Sequence, residues 1–467
     1  MELLPQAAQK IITTLNTAGF DAYAVGGSVR DILMNRETKG WDFTTNAKPE
    51  EILALFPDSF YDNQFGTVGI KIYEEKDDRG QMTDSGEEQH MQPIDIYEIT
   101  TYRSEKGYTD SRHPDQLQWG TSILEDLSRR DFTINAIAYD GKTFIDPYDG
   151  REAIQQRIIQ TVGIPTDRFS EDALRIMRAV RIGAQLAFLI EPKTQEAIQQ
   201  LAPSLSKISA ERVRDELFKI LASPYPADGI LLLKNTGILA VILPELENAF
   251  TIPQKSPKRH HIYDVGTHSV EALRHCPSTD SLVRFATLLH DIGKPNTFKK
   301  DPSELITFFN HEVVGSRIIK NIAYRFRLSK KQSEKLFTLV RWHQFTVDER
   351  QTDSAIRRFI RRVGKENLDD MLALRIGDRL GGGALETSWR LELFKKRLEE
   401  VQLQPFSVKD LKINGNDIIN DLHVSPGPII GQILNALFAE VEAETLVNEE
   451  QTLKQRMHEL YEVSLQK

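Results

Sequence analysis

A chain of 467 residues exceeds what one hydrophobic core ordinarily supports, so two to four compact units are expected. The single thiol, Cys276, excludes an internal disulfide and a cysteine-based structural zinc site, which fits a reducing compartment. A formal net charge of -9 excludes an indiscriminate polyanion binder but leaves room for shape-selective RNA binding through local basic patches.

The first segment, Met1 to Asn16, interrupts its apolar residues with Gln6, Gln9 and Lys10 and reads as an amphipathic surface helix rather than a signal peptide. No later run is long and apolar enough to span a bilayer, so a cytoplasmic protein without membrane contact is expected. From Ala22 to Tyr139, short β-rich runs such as AYAVGG, VGIKIYE and IDIYEITTY alternate with helical stretches; beyond Tyr139 strand-like runs nearly vanish. The pattern predicts an α+β chain, with a small mixed-sheet head over residues 1–140 and a helical body after it. Glu75 to Pro93, rich in Asp, Glu, Gln and Gly between two strand-like runs, reads as a solvated hairpin insertion without chemistry. Further joints are expected at Pro224 to Asp228, Pro253 to Arg259 and Gly381 to Gly383.

Within the head, Val25-Gly26-Gly27-Ser28-Val29-Arg30-Asp31 sets two glycines between a strand and a helix, where backbone amides can approach a triphosphate and Arg30 adds a cation. Taken alone, such a turn more often simply reverses the chain. Lys39-Gly40-Trp41-Asp42-Phe43-Thr44-Thr45 follows, and with it the head resembles the family of class II tRNA nucleotidyltransferases and bacterial poly(A) polymerases. That family pairs the GGxVRD turn with a strand bearing a DxD pair of magnesium-binding carboxylates. Asp42 matches the second position, whereas Gly40 stands at the first. Two carboxylates spaced by two on a strand face the same way and can share metals, so Gly40 removes one anchor.

Further resemblances extend along the head. Glu98-Ile99-Thr100-Thr101-Tyr102-Arg103 is similar to the family's third-carboxylate strand and makes Glu98 the partner of Asp42, while strand alternation aims Asp95 at the other face. Arg103 to Pro114 resembles the family's flexible loop, which helps shift specificity from C to A. The string from Asp126 to Ala136, DLSRRDFTINA, is the most specific match and implies nucleotide-binding roles for Arg129, Asp131 and Asn135.

Phe169-Ser170-Glu171-Asp172-Ala173-Leu174-Arg175-Ile176-Met177-Arg178 reads as the opening of a helix with Ser170 as N-cap. Asp172 and Arg175 are neighbours on one helical face, a spacing that usually marks a solvated salt bridge. In this context they resemble the family's EDxxR motif, which selects the incoming base; Arg178 joins the nucleotide-binding set. Ile208 to Leu217 resembles the buttressing motif that follows, with Arg212 and Glu216 as supports.

His268, His290, Asp291, His311, His343 and Asp378 occur in the order H, HD, H, H, D with helical spacing between them. A lone helical histidine is more often structural, but LLHDIGKP around His290 and Asp291 is similar to the HD phosphohydrolase superfamily. The resemblance implies a divalent transition metal, mononuclear or dinuclear, and a phosphohydrolase activity. LKING at Leu411 and SPGPIIG at Ser425 resemble the tail of HD-containing members, which grips the body of tRNA.

Together these readings imply a head at 1–140, a neck and body at 141–255, an HD domain at 256–380 and a helical tail at 381–467. The implied reaction adds C, C and A to the 3′ end of tRNA from CTP and ATP, with magnesium at Asp42 and Glu98; RNA rather than DNA is the partner. The alternatives are an HD phosphohydrolase with an impaired head, motivated by Gly40, and a poly(A) polymerase.

Overall fold

The computed structural model describes residues 3–38, 40–61, 66–73, 93–106, 116–120, 122–254, 263–345, 350–385, 388–402, 408–443 and 445–465. Two compact units divide the chain, Met1–Glu247 and Asn248–Lys467. Among the described residues no helix is long and apolar enough to cross a membrane.

The first unit opens with helix α1 (Gln6–Thr17), whose Ala8, Ile11, Ile12 and Leu15 repeat at helical spacing and are buried. Strands β1 (Ala22–Val25), β2 (Asp42–Thr45), β3 (Ser59–Tyr61), β4 (Thr67–Ile72) and β5 (Asp95–Thr101) follow, with α2 (Gly27–Leu33) and α3 (Pro49–Leu55) between them. A separate antiparallel pair, β6 (Arg103–Lys106) and β7 (Gln116–Trp119), precedes α4 (Ile123–Ser128). With β8 (Ala138–Tyr139) and β9 (Phe144–Ile145), the sheet runs in the order β3-β4-β5-β2-β1-β8-β9. Only β2 and β5 pair in parallel within it. One face packs on Trp41, Phe43, Tyr97 and Ile99, and on α1 through Leu15.

The expected hairpin holds at its base, since β4 and β5 are antiparallel with Ile72 opposite Asp95. The insertion itself, 75–92, lies outside the described residues, as do 107–115 of the loop expected to shift specificity and 255–259 of one expected joint.

After β9 the unit is helical apart from a short parallel pair, Ile158–Ile159 with Leu189–Ile190: α5 (Gly150–Gln156), α6 (Pro165–Glu171), α7 (Leu174–Leu186), α8 (Pro192–Leu201), α9 (Ala210–Leu221), α10 (Pro226–Asn235) and α11 (Ile238–Ile242). The sequence points to a helix start at Ser170, whereas the structure puts Ser170 inside α6, its hydroxyl donating to the Thr166 carbonyl. Pro165 starts that helix at its first turn, where its fixed φ and missing N–H cost nothing. The chain then breaks at Asp172, whose Oδ1 accepts from the Leu174 N–H at 2.9 Å.

The boundary between the units falls within α12 (Pro244–Ala249), and the second unit continues with α13 (Val265–Arg274), α14 (Ser281–Leu289), the short α15 (Lys294–Thr297), α16 (His311–Arg325), α17 (Lys330–Trp342), α18 (Asp353–Val363), α19 (Leu368–Gly381) and α20 (Trp389–Gln402). α13 packs on α14 and α19, and α17 on α14 and α16. The last three helices, α21 (Gly415–Leu422), α22 (Pro428–Glu442) and α23 (Glu450–Leu465), close over their own core of Ile418, Ile433, Leu437, Leu453 and Met457.

Candidate functional site

A cavity of about 440 Å³ opens in the first unit between the exposed face of β2 and β5 and the start of α7. Its floor is set by register: Asp42 pairs directly with Glu98 across the parallel ladder, and the Glu98 N–H donates to the Trp41 carbonyl at 2.8 Å. Side chains alternate along a strand, so Trp41 and Phe43 enter the core while Asp42 faces the cavity. Burial raises the Asp42 carboxyl above its ordinary range, against the opposing pull of Arg130 and Arg178.

Gly26 ends β1 with φ +77, and a Cβ there would stand 3.3 Å from both Asp42 Oδ2 and an Arg130 nitrogen. A bare backbone is what lets the turn approach the carboxylate this closely. Gly27 lines the same cavity.

Strand β5 alternates as the sequence implied: Tyr97 and Ile99 are buried, Ile96 and Glu98 exposed, and Asp95 lies on the face opposite Glu98. Asp95 Oδ2 accepts from the Gly40 N–H at 3.1 Å, and Gly40 itself has φ +70 with nothing within 4 Å of a Cβ built there. A Cβ at position 40 would therefore enter open space.

The opposite wall carries the cations. Asp126 is fully buried and holds Arg129 at 2.6 Å and Arg130 at 3.2 Å. Burial raises its carboxyl, but the two guanidiniums outweigh that and leave it below the usual range. Asp131 Oδ1 accepts from the Phe132 N–H and from Asn135 Nδ2, and its Oδ2 accepts from Arg178 Nε at 2.7 Å. Against the cost of burial, Arg178 and the Asn135 bond pull Asp131 down to about 2. Asp131, Asn135 and Arg178 all line the cavity.

Asp172 and Arg175 line it as well; the Arg175 N–H donates to the Asp172 carbonyl at 3.0 Å, but their side chains are held by different partners. Arg212 donates to Asp172 Oδ2, while Arg175 pairs with Glu171 and donates to the carbonyls of Arg168 and Arg129. Arg30 stands apart from the expected set. It is fixed by Asp31 at 2.9 Å and by Asn135 at 2.8 Å, and lines a neighbouring cavity instead.

Arg103, Arg130, Arg212, Thr67 and Thr100 also line the nucleotide-sized cavity without having been singled out as binding residues. The three arginines lay inside quoted motif strings and were legible there. Thr67 and Thr100, whose hydroxyls meet at 3.1 Å, reach one another only through the β4–β5 pairing.

In the second unit, all six residues of the H, HD, H, H, D series converge on a cavity of about 400 Å³, with His290 behind its lining. They come from helix ends and faces: His268 on α13, His290 and Asp291 after α14, His311 opening α16, His343 ending α17 and Asp378 on α19. Two groups result, His268/His290/Asp378 and Asp291/His311/His343, with the ligand atoms of each within 4.8 Å of one another. Asp291 faces both: Oδ2 lies 3.2 Å from His290 Nε2, and Oδ1 lies 3.2 Å from His311 Nε2.

Nδ1 of His290, His311 and His343 each lies 2.7 to 2.9 Å from the carbonyl three residues before it. A proton held there leaves Nε2 as a free donor pair pointing into the cluster. Burial and the neighbouring His290 push His343 down to about 3, whereas Asp291 and Asp378 outweigh burial at His290 and hold it up at about 10. The donor set thus fits divalent metal, and Lys294, 2.5 Å from Asp291 Oδ2, completes the wall.

Residues 22–160 match a family model described as "Poly A polymerase head domain", and residues 306–457 match a "tRNA nucleotidyltransferase domain 2". The CCA-adding enzyme of Geobacillus stearothermophilus is 43% identical over 239 residues, 51% of this chain and 54% of that enzyme. The chain thus aligns with about half the length of that relative. The A-adding tRNA nucleotidyltransferase of Deinococcus radiodurans is 37% identical over 341 residues, 69% of this chain and 76% of that enzyme. The crystal structure of the Bacillus stearothermophilus CCA-adding enzyme in complex with CTP superposes with a TM-score of 0.70 at 28% identity, covering 99% of this chain and 98% of that one. With the carboxylate floor, the arginine wall and these matches in agreement, the chain belongs to the class II tRNA nucleotidyltransferase and poly(A) polymerase head family.

Proposed function

We propose that the protein adds C, C and A to the 3′ end of tRNA without a nucleic-acid template, using CTP and ATP. The observation that carries this reading is one cavity holding Asp42 and Glu98 opposite Arg129, Arg130, Arg175 and Arg178, with Asp172 at its edge. Two in-register carboxylates, one of them desolvated, suit magnesium. Magnesium bound there supplies polarisation of the attacking hydroxyl and of the leaving pyrophosphate.

The chain's own residues account for the rest. The arginine wall offsets the charge of the triphosphate, held in place by buried Asp126 and Asp131. The Asp172 carboxylate accepts from the exocyclic amine shared by cytosine and adenine, and Arg175 donates to their ring acceptors. Uracil and guanine present the reverse pattern, which leaves buried groups unmet and disfavours them. The tRNA 3′-hydroxyl attacks the α-phosphate and pyrophosphate leaves.

The six-residue cluster of the second unit is read as an HD site for one or two divalent transition-metal ions, which supply an activated water for phosphoester hydrolysis. Residues 1–140, 141–255, 256–380 and 381–467 are read as head, body, HD domain and tRNA-gripping tail; the separate core that begins at Leu411 supports a distinct tail, while α20 packs on α18. A tRNA substrate fits a cytoplasmic protein.

Gly40 favours a second reading, an HD phosphohydrolase whose head binds nucleotide and tRNA but transfers poorly, because no side chain occupies the first metal position. Incubating the purified protein with tRNA lacking its 3′ end, labelled CTP or ATP and magnesium decides between them. Labelled tRNA supports transfer; unlabelled tRNA with intact tRNA binding and active phosphoester hydrolysis supports the second reading.

A further inference from the structure

Beside the nucleotide cavity the first unit holds another, of about 340 Å³, walled by Arg30, Arg36, Gln185, Lys219 and Ser223, with Asp31 as its one acidic lining residue among those described. Three cations therefore face one carboxylate, and that carboxylate is already bonded to Arg30. Arg36 and Lys219 stand at the exposed side, with Arg36 Nη1 3.5 Å from the Gln185 carbonyl. Lys219 shares buried Glu216 with Arg181, which lies closer to that acid, 3.0 Å against 3.3 Å. Arg30 forms the inner end, its side chain 13% exposed.

We propose that this cavity binds a phosphate group, at a site distinct from the nucleotide pocket. Two guanidiniums and an ammonium around a small concavity match the charge and the several acceptor oxygens of phosphate, and with Arg30 held by Asp31 and Glu216 divided between Lys219 and Arg181, the lining still carries more positive than negative charge. In a chain of net charge -9 such an excess in one concavity is not an average surface feature. The phosphate belongs either to the backbone of the RNA substrate or to a free polyphosphate such as pyrophosphate. These sources rest on the proposed nucleotidyl transfer; the phosphate site itself does not.

Arg30 couples the site to the nucleotide pocket. Its Nη1 donates to Asn135 Oδ1, Asn135 Nδ2 donates to Asp131, and Asp131 holds Arg178 in the pocket wall. A phosphate drawing on Arg30 weakens its hold on Asn135, so occupancy is felt at Arg178 as a change in the KM for CTP or ATP.

The test uses the full chain and the variants Arg36→Gln, Lys219→Gln and the double variant, with thermal melting to confirm folding. One arm titrates pyrophosphate by calorimetry with the nucleotide pocket filled by a non-hydrolysable CTP analogue; the other measures tRNA affinity across a salt series. Tenfold or greater loss of pyrophosphate affinity in the double variant identifies a free polyphosphate. A fall of about two in the slope of log affinity against log salt, roughly one per removed cation, identifies an RNA phosphate. Parent-like pyrophosphate affinity together with a parent-like slope overturns the proposal. Addition of labelled C or A by the parent is read in parallel: an inert parent with a shifted slope would overturn nucleotidyl transfer and leave the phosphate site standing.

Discussion

Arg212 donates to Oδ2 of Asp172 at 2.9 Å, tying α9 to the break between α6 and α7. The other carboxylate oxygen caps the Leu174 N–H, so Asp172 is oriented from both sides before any nucleotide arrives. A base-reading group must be held in one orientation to discriminate. Arg212→Ala is therefore expected to raise UTP and GTP misincorporation alongside Arg175→Ala, although Arg212 need not touch the base. Single-turnover incorporation of each of the four nucleotides checks this; unchanged discrimination in both variants removes the pair from base selection.

Asp131 gives a pH prediction. Its carboxyl is pulled down to about 2 by Arg178 and Asn135, below the value of roughly 4 it has in an unfolded chain. A carboxylate depressed on folding adds stability above its unfolded value and loses it as the pH falls through the folded one. Asp131→Asn should cost roughly 2 kcal/mol at neutral pH, as expected for a hydrogen bond to a charged group. The gap between variant and parent should narrow between about pH 4 and pH 2. Urea unfolding at pH 7 and pH 3 measures it, and a gap that widens at pH 3 contradicts the assignment.

The metal reading predicts that the parent, reconstituted with excess divalent transition metal and desalted, retains about two ions per chain. His268→Ala removes a ligand from one group and leaves Asp291, His311 and His343 intact, so it should lower the content by about one. Elemental analysis gives the count. Hydrolysis of a generic phosphodiester should fall with it while magnesium-dependent nucleotide addition is unchanged. A metal-free parent after reconstitution would remove the HD assignment.

Some of this geometry was legible in the sequence and some was not. Asp42 and Glu98 could be paired through the family resemblance of their two strand motifs, strand alternation could set Asp95 aside, and the parallel register that puts Asp42 beside Glu98 came only with the fold. The six candidate ligands could be named from their order and its resemblance to the HD superfamily, but their division into two groups bridged by Asp291 depends on where five helices meet. Arg30 turned out to line a different cavity because Asn135, 105 residues later, captures it. The helix start expected at Ser170 missed because Pro165 begins a separate short helix and Asp172 spends its side chain capping the next one.

Gly40→Asp is the sharpest test of the head. The site has φ +70, a region in which Asp is among the more tolerated non-glycine residues, and no heavy atom lies within 4 Å of the new Cβ. The Gly40 N–H keeps its bond to Asp95 whatever side chain is attached, but the positive φ strains any side chain there, so a stability loss on the order of 1 kcal/mol is expected and thermal melting should accompany the assay. A carboxylate two residues before Asp42 would add a second anchor for magnesium, and such groups commonly supply several kcal/mol in the transition state. Nucleotide addition should therefore rise by roughly a hundredfold in kcat. The affinity for CTP should change much less, because Arg129, Arg130, Arg175 and Arg178 remain in place. If the parent is already efficient and the variant no faster, Asp42 and Glu98 suffice for the metal and Gly40 is no defect. If both are inert while tRNA binding persists, nucleotidyl transfer is the wrong reading of the head, and hydrolysis at the His268 to Asp378 cluster becomes the activity to pursue.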